Sequence, residues 1–197
     1  NQILDFRKIE NKKMRLNVSA VNLTAVIKSF YNEFSILSAE KSISYNYHLL
    51  EDEIIVWADK DKLETVIRNI VSNAFKFTPP GGSVLITGGI DKDSNCCIVR
   101  VEDSGIGISQ NKLGEIFERF SQNSLYPGTG IGLALSKELI ALHHGNVKVE
   151  SVENKGSIFT IELPLGRDHF NESEVDFYLS DITGSVPALE ENEPSFQ

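Results

Sequence analysis

Asp103-Ser104-Gly105-Ile106-Gly107 is the stretch of sequence from which the fold is predicted. It follows a run of β-branched and apolar residues, 96 to 101, that predicts a strand, and it precedes residues 108 to 111, which predict the capped start of a helix. The glycines let the backbone approach a flat ligand, while Asp103 offers a hydrogen-bond acceptor at the strand end. This geometry suits an exocyclic amine such as that of adenine.

The same pattern is also typical of an ordinary turn, in which glycine adopts positive φ and Asp bonds its own backbone. Two neighbouring features favour the ligand-binding interpretation. A helix carrying Asn69 and Asn73 is predicted upstream, and a second glycine cluster, residues 128 to 133, opens another helix downstream.

The upstream helix is predicted to start at residues 61 to 64, Asp-Lys-Leu-Glu, as a capping box, and to end near the prolines and glycines of 78 to 82. Its apolar side chains form one core face. Asn69, Asn73 and Lys76 share an adjoining face, with Phe77 beside them. This face is either a solvated flank or an edge that holds polyphosphate and Mg²⁺, for which amide oxygens and a lysine are suited.

The second cluster, Gly128-Thr129-Gly130-Ile131-Gly132-Leu133, brings backbone amides to the start of a helix predicted to run to His143. Such a helix start favours phosphate, although a plain glycine loop is the alternative. At the far end, His143 and His144 are expected to be cationic against the helix dipole, and Gly145 is the expected C′ residue.

The remaining elements follow from periodicity and turn residues. Asn22 is predicted to cap an amphipathic helix. Residues 42 to 49 predict a strand with residues 54 to 57 as its neighbour, and residues 112 to 120 predict a short helix. The other predicted strands are 83–90, 96–102, 147–152 and 157–164.

Composition excludes several classes of protein. The net charge is −9, and residues 167 to 197 hold one cation, Arg167, against eight carboxylates, which predicts a separate, solvated acidic tail. This charge argues against a nucleic-acid surface. There is no long apolar run and no secretory leader pattern, which indicates a cytoplasmic piece. Cys96 and Cys97 are expected to be unpaired strand residues, and His48 to face solvent.

Taken together, these motifs make residues 19 to 165 resemble the ATP-binding catalytic domain of sensor histidine kinases, within the wider family of gyrase, the Hsp90 chaperone, these kinases and the MutL repair protein. Residues 69 to 78 are similar to that family's N box, and residues 103 to 107 to its first glycine box. Residues 117 to 120, Phe-Glu-Arg-Phe, resemble its F box, and residues 128 to 133 its second glycine box.

The resemblance implies an α+β fold of the Bergerat type, with a mixed β-sheet packed on helices as a two-layer sandwich and a mobile ATP lid from about Gln110 to Gly128. It implies ATP and Mg²⁺ as cofactors. Asp103 would bind the adenine amine, Asn73 the Mg²⁺, and Asn69 and Lys76 the phosphates. Further nucleotide contacts are implied for Phe77, Gly105, Gly107, Ile108, Gly128, Thr129, Gly130, Gly132 and Leu133.

The implied function is that of a protein-histidine kinase module, which positions Mg²⁺-ATP so that the γ-phosphoryl passes to a histidine elsewhere. The four histidines present lie inside or after the ATP domain, so no catalytic residue is assigned. A non-catalytic nucleotide sensor is the alternative, because Phe77 replaces a frequent tyrosine and Gln122 a frequent lid arginine; Arg119 could compensate for the latter. A hydrolase of the gyrase type is disfavoured, because Asn69 stands where those relatives place a glutamate.

The resemblance also extends to the flanks. Residues 1 to 18 are similar to the end of a dimerisation and phosphoacceptor helix, and residues 166 to 197 resemble an acidic linker towards a receiver domain. The implied partners are the dimerisation domain of the same protein and a response regulator or fused receiver domain. The parent protein would be a membrane-associated homodimer with this domain in the cytoplasm.

Overall fold

The computed structural model describes residues 2–11, 13–119 and 130–178. Within these ranges, helices and strands alternate irregularly along the chain. Their bounds are α1 (Gln2–Glu10), β1 (Leu16–Asn22), α2 (Leu23–Lys41), β2 (Ser44–Leu49), β3 (Ile55–Asp59), α3 (Lys60–Phe77), β4 (Ser83–Asp91), β5 (Cys96–Asp103), α4 (Gly132–Leu142), β6 (Asn146–Val152), β7 (Gly156–Pro164) and β8 (Val175–Phe177).

The main sheet has five strands in the order β2-β4-β5-β7-β6. β2 pairs with β4 in parallel and the other pairs are antiparallel, so the sheet is mixed. Apolar side chains of α2, α3 and α4 form one continuous core with the strands, as Ile27, Ile70, Leu135 and Val99 illustrate. The predicted two-layer sandwich of a mixed sheet on helices is therefore confirmed.

A second sheet of three strands, in the order β3-β1-β8, was not predicted. The interpretation of residues 54 to 57 as the neighbour of the strand at 42 to 49 is wrong, because β3 pairs with β1 and β2 pairs with β4. Val21 lies opposite Val56 in this pairing, and both side chains are buried in the main core. Burial on this face fixes the register.

The other face of the small sheet is covered by the segment that follows β7. Leu16 and Val18 are 1% and 0% exposed, and they pack against Phe170 and Val175. The prediction of a separate, solvated tail is therefore wrong for residues 167 to 178, because their apolar side chains bury part of β1. Residues 179 to 197 lie outside the described residues.

Helix ends agree only in part with the sequence predictions. Asn22 caps α2 as predicted, since its side chain accepts from the amide of Ala25. The start of α3 is capped by Asp59, not by a box at Asp61. After α4 the left-handed residue is His144, with φ of 57°, and not Gly145. An added Cβ at Gly145 would lie 2.4 Å from a β7 carbonyl oxygen, so close packing explains that glycine.

Residues 112 to 119 form consecutive turns and not the predicted short helix. The backbone amides of Lys112, Glu115 and Glu118 each donate to the carbonyl three residues earlier. These bonds occur only at every third residue, so no continuous helical ladder forms. Phe120 and residues 121 to 129, about half of the predicted lid including Gln122, lie outside the described residues.

Three smaller observations complete the fold. His48 is exposed, and Cys96 and Cys97 are unpaired, as predicted. His143 is 1% exposed and has a lowered pKa, chiefly because burial disfavours its charged form, so its expected cationic role is wrong. No helix in the described ranges is both long enough and apolar enough to cross a membrane.

Candidate nucleotide-binding site

Asp103 is the last residue of β5, and its side chain is 6% exposed. Its Oδ1 accepts a hydrogen bond from the amide of Gly105 at 2.8 Å. Burial raises the pKa of this carboxyl group to about 6, against the lowering effect of the Gly105 and Ser157 amides. The side chain is therefore an oriented acceptor held in a water-poor environment, which suits recognition of an amine.

The two glycines of the first glycine box, Gly105 and Gly107, pack too closely against their surroundings to carry a side chain. An added Cβ at Gly105 would lie 2.5 Å from the carbonyl oxygen of Phe77, and one at Gly107 would lie 2.1 Å from that of Val152. Gly107 also has φ of +63°, which other residues rarely adopt. The glycines thus let this segment fit between the end of α3 and the β6–β7 turn.

Three residues that support the first glycine box were not identified from the sequence. Ser151 Oγ accepts from the amide of Ile108 at 2.8 Å and donates to the carbonyl of Gly156 at 2.8 Å. Ser157 lies opposite Asp103 in the β5–β7 pairing and contacts Ser151 through its hydroxyl. A Cβ at Gly156 would approach the carbonyl oxygen of Asp103 to 1.9 Å. The sequence signal for these residues was limited to the turn-like composition of residues 153 to 156, which predicts a turn but not its contact with Asp103.

The polar edge of α3 lies beside both glycine boxes. Asn69, Asn73 and Lys76 are each partly buried. Asn69 Nδ2 donates to the carbonyl of Gly132 and to Ser136 Oγ, each at 3.1 Å, so the start of the N box contacts the second glycine box. At the other end, the amide of Ile106 donates to the carbonyl of Phe77 at 3.1 Å. The N box therefore contacts both glycine boxes.

A cavity of about 310 Å³ opens between the end of α3 and the first glycine box. Its lining combines apolar residues with two lysines, and the Lys76 ammonium lies 5.0 Å from the centre of the Phe77 ring. Lys41, from the end of α2, was not predicted to lie here. The lining residues are Lys41, Lys76, Phe77, Thr78, Pro79, Pro80 and Ile106.

The second glycine box is described from Gly130 onward; Gly128 and Thr129 lie outside the described residues. Gly130 has φ of +65°, and Gly132 is the first residue of α4, followed by the partly buried Leu133. The N-cap residue of this helix, Ile131, makes no side-chain cap hydrogen bond. A helix start whose N-cap side chain does not occupy the first amides is suited to binding an anion.

Helix α1 lies across the same region, which was not expected from the sequence. Gln2 Nε2 donates to Asn69 Oδ1 at 2.9 Å, and Asp5 pairs with Lys62 at 3.3 Å. Glu10 forms an ion pair with Arg119. The Arg119 guanidinium also lies over the ring of Phe6, 4.2 Å from its centre. Residues of α1 therefore contact both the N box and the F box.

The residues on the α3 edge could bind a magnesium ion only together with ligands from outside the protein, such as waters and nucleotide phosphates. Among the described residues, no group of three or more His, Cys, Asp or Glu side chains could hold a metal. Asn73 is partly buried, and none of the hydrogen bonds within the described ranges involves its carboxamide. A neutral amide oxygen with waters and nucleotide phosphates is a usual Mg²⁺ environment, so Asn73 fits this role.

The arrangement agrees with what comparison with known proteins finds. A family model described as "Histidine kinase-, DNA gyrase B-, and HSP90-like ATPase" matches residues 58–167. The chain belongs to this family. Its match to this ATPase family covers α3, both glycine boxes and the final hairpin, and the resemblance to the ATP-binding catalytic domain of sensor histidine kinases is confirmed.

Relatives within the ATPase family include named histidine kinases. "Histidine kinase P4" of Formosa agariphila is 37% identical over 92% of this chain, and "Hybrid signal transduction histidine kinase D" of Dictyostelium discoideum is 39% identical over 84%. The chain spans only 14% and 11% of these relatives. Among solved structures, full-length ShkA in complex with AMPPNP matches with a TM-score of 0.76 and 28% identity, over 84% of this chain and 35% of that one.

Proposed function

We propose that this chain binds ATP with Mg²⁺ and positions the γ-phosphoryl group for transfer to a histidine in another part of the same protein. The observation that carries the proposal is the contact of the N box with both glycine boxes. Asn69 contacts Gly132 at the start of the N box, and Phe77 contacts Ile106 near its end. Asp103, the last residue of β5, is buried, and its carboxylate accepts from the amide of Gly105.

Residue roles follow the chemistry of ATP. The Asp103 carboxylate accepts from the adenine amine, and Gly105, Gly107, Ile108 and Phe77 flank the base. The phosphate side comprises Lys76 and Asn69 of α3 together with the second glycine box, namely Gly128, Thr129, Gly130, Gly132 and Leu133. Asn73 supplies the amide oxygen for Mg²⁺, and the bound ion would neutralise phosphate charge.

In the transfer, an imidazole nitrogen attacks the γ-phosphorus, the bond from that phosphorus to the bridging oxygen breaks, and ADP leaves with that oxygen. The residues of this chain would act by orientation and by charge neutralisation, which supply most of the catalysis in phosphoryl transfer. Lys76 carries a positive charge to the phosphate side, and the amides at the start of α4 donate to phosphate oxygens.

Direct hydrolysis of ATP is disfavoured by Asn69. A carboxamide cannot accept the proton of an attacking water, and both of its donors are already used by Gly132 and Ser136. A nucleotide sensor is a second candidate, favoured by the contact of α1 with the site. If nucleotide binding alters the Gln2–Asn69 bond, the position of α1 reports on it without any phosphate transfer.

The partners and the location of the whole protein are part of the same proposal. We assign α1 to the end of the dimerisation and phosphoacceptor domain, and residues 179 to 197 to a connection towards a receiver domain. One relative is named a hybrid kinase, which supports a receiver or response regulator as partner. The parent would be a membrane-anchored homodimer with this domain in the cytoplasm, and nothing in the charge pattern favours nucleic acid.

The first test is calorimetric binding of ATP and ADP with and without Mg²⁺. We expect Mg²⁺-dependent binding of ATP, and we expect Asp103→Asn to weaken it by about 30-fold, equivalent to about 2 kcal/mol for an unmatched buried polar group. Asp93→Asn, in the exposed β4–β5 turn, is the matched control and should bind as the wild type does. A folded wild type without nucleotide binding would refute the proposal.

Phosphate transfer separates the two candidate functions. A longer form of the protein that contains the acceptor helix is incubated with ATP labelled on its γ-phosphate, and the protein is assayed for acid-labile phosphohistidine. Label on a histidine supports the kinase. ATP binding with no label under the same conditions supports the nucleotide sensor instead.

A further inference from the structure

Ser136 is a fully buried hydroxyl that the proposed function does not yet use. It lies on α4, one turn after the second glycine box, and is 0% exposed. Its Oγ donates to the carbonyl oxygen of Gly132 at 2.8 Å and accepts from Asn69 Nδ2 at 3.1 Å. Asn69 Nδ2 also donates to the carbonyl of Gly132 at 3.1 Å. Three polar groups from two helices thus form a closed triangle.

A serine that bonds the carbonyl three or four residues earlier is common in helices and by itself has no functional meaning. Ser35 on α2 is such a case, since its hydroxyl donates to the carbonyl of Asn32 at 2.7 Å. Ser136 differs because its hydroxyl also accepts from a side chain of another helix. If the position only had to fill the core, an apolar side chain would avoid the cost of burying a hydroxyl.

The hydrogen bonds of the Asn69 carboxamide show how the contact with Ser136 and Gly132 affects the site. A carboxamide has two N–H donors, and both point to the first turns of α4. Its oxygen accepts from Gln2 of α1. Asn69 therefore has no remaining donor for a phosphate unless it releases α4, so its effect on the phosphates is exerted through the position of Gly132.

We propose that Ser136 is a positioning residue for the phosphate side of the site. By holding Asn69 and the carbonyl of Gly132 together, it fixes the amides at the start of α4 relative to the polar edge of α3. This inference rests on the proposed ATP site. Loss of the hydroxyl should loosen the phosphate-facing amides and leave the adenine-recognising Asp103, on β5, unchanged.

The test compares the affinities of ATP, ADP and adenosine for Ser136→Ala and for the wild type, together with their melting temperatures. We expect the affinity for ATP to fall about tenfold, the loss of one buried hydrogen bond, and the affinity for adenosine to stay the same. Ser35→Ala is the matched control and should change neither. A double-mutant cycle with Asn69→Ala should show that the two losses do not add.

Each outcome decides the matter. An equal loss for all three ligands, or no loss for any, would mean that Ser136 serves stability only and would overturn the inference. If Ser136→Ala does not fold, Ser136→Cys, which keeps a weaker donor of similar size, replaces it and should show a smaller ATP-selective loss. A wild type that binds ATP with no ATP-selective loss in these variants refutes this inference alone, whereas a wild type that binds no nucleotide refutes the proposed function.

Discussion

At Asp103, burial disfavours the ionised form of the carboxyl group that binding of a ligand amine needs. A carboxylate that must accept from a ligand amine is needed in its ionised form, but its surroundings disfavour the charge and raise its pKa to about 6. The amide of Gly105 offsets only part of this cost. At neutral pH the group is ionised and ready to bind, although the margin is small.

We therefore expect nucleotide binding to depend on pH through Asp103. When the pH falls from 7.5 to 5, ADP affinity should weaken by up to about tenfold, because most of the carboxylate becomes protonated below a pKa of about 6. Asp103→Asn should lose this component, and since the titration of ADP itself is common to both proteins, the difference isolates the residue. Parallel pH profiles for the two proteins would contradict the assignment.

The effect of the same group on stability has the opposite sign. Because the folded pKa is raised from 3.8, the stability conferred by the bound proton is complete below 3.8 and is lost as pH rises through about 6. The ligand-free protein and the nucleotide complex thus respond to Asp103 in opposite directions.

His143 illustrates a residue whose importance is structural. Its Nε2 accepts from the amide of Asp59 at 3.0 Å, and its Nδ1 lies 2.7 Å from the carbonyl of Leu139. This pattern needs a neutral ring protonated on Nδ1, and it joins the end of α4 to the start of α3. Protonation of Nε2 would place two donors against each other.

We expect this histidine to make the protein less stable in acid. Its folded pKa lies below the ordinary value, so its contribution is complete above about pH 6.5 and is lost as pH falls towards the lowered value. At pH 5.5 the loss should reach up to about 1.4 kcal/mol in urea unfolding. His143→Gln should have a flatter profile between pH 7.5 and 5.5, whereas the exposed His48→Gln should keep the wild-type slope.

Single residues were predictable from sequence where local chemistry decides them. Asn22 caps α2 because the capping bond spans only three residues. Asp59 and Asp61 were both suitable by sequence to cap the start of α3, and contacts with distant residues favour Asp59. The Asp59 carboxylate also accepts from the amide of Asn17, and the amide of Asp59 donates to His143. No window of sequence around residue 59 contains those partners.

At the level of elements, the first glycine box depends on the hairpin beneath it. The β6–β7 turn contacts Asp103 and Gly107 at distances that exclude a Cβ. Ser151 then fixes the amide of Ile108. The first glycine box is therefore held in place by the β6–β7 hairpin, whose turn begins more than forty residues later in the sequence.

Gly107→Ala should test this contact. The added Cβ would meet the carbonyl of Val152 at 2.1 Å with φ of +63°, so we expect a loss of about 1–3 kcal/mol in the free energy of unfolding. Gly114→Ala is the matched control, because nothing lies within 4 Å of its added Cβ; it should change stability by less than about 0.5 kcal/mol. Equal effects of the two substitutions would show that the box does not need this close approach.

Helices and strands were predicted well where apolar residues recur at a single helical or strand spacing. They were predicted poorly where a strand pairs with a partner that is distant in sequence. The apolar stripe of α2 and the alternation of β2 appear directly in the sequence. The pairing of β3 with β1, across the whole of α2, leaves no local signal. Residues 112 to 119 have helical composition, but tertiary contacts such as that of Phe117 with Phe159 hold them as turns.

At the level of the whole molecule, the segment after β7 completes a second, small core. Phe170 and Val175 cover Leu16 and Val18. Arg15 adds a paired contact with Asp176 and donates to the carbonyls of residues 172, 173 and 175. Both partners of the ion pair are 48% exposed, so it contributes little compared with the apolar burial.

Two truncations should separate the buried part of this segment from the remainder. Removal of residues 166 to 197 exposes Leu16 and Val18 and deletes the buried Phe170 and Val175, so we expect the free energy of unfolding in urea to fall by about 2–4 kcal/mol. Removal of residues 179 to 197 alone keeps the small core and should leave the free energy of unfolding unchanged. If the two truncated proteins are equally stable, β8 and Phe170 are dispensable, and the apolar cover of β1 has no energetic role. If only the longer truncation destabilises, the folded domain extends to residue 178, and any connection to a following domain begins after it.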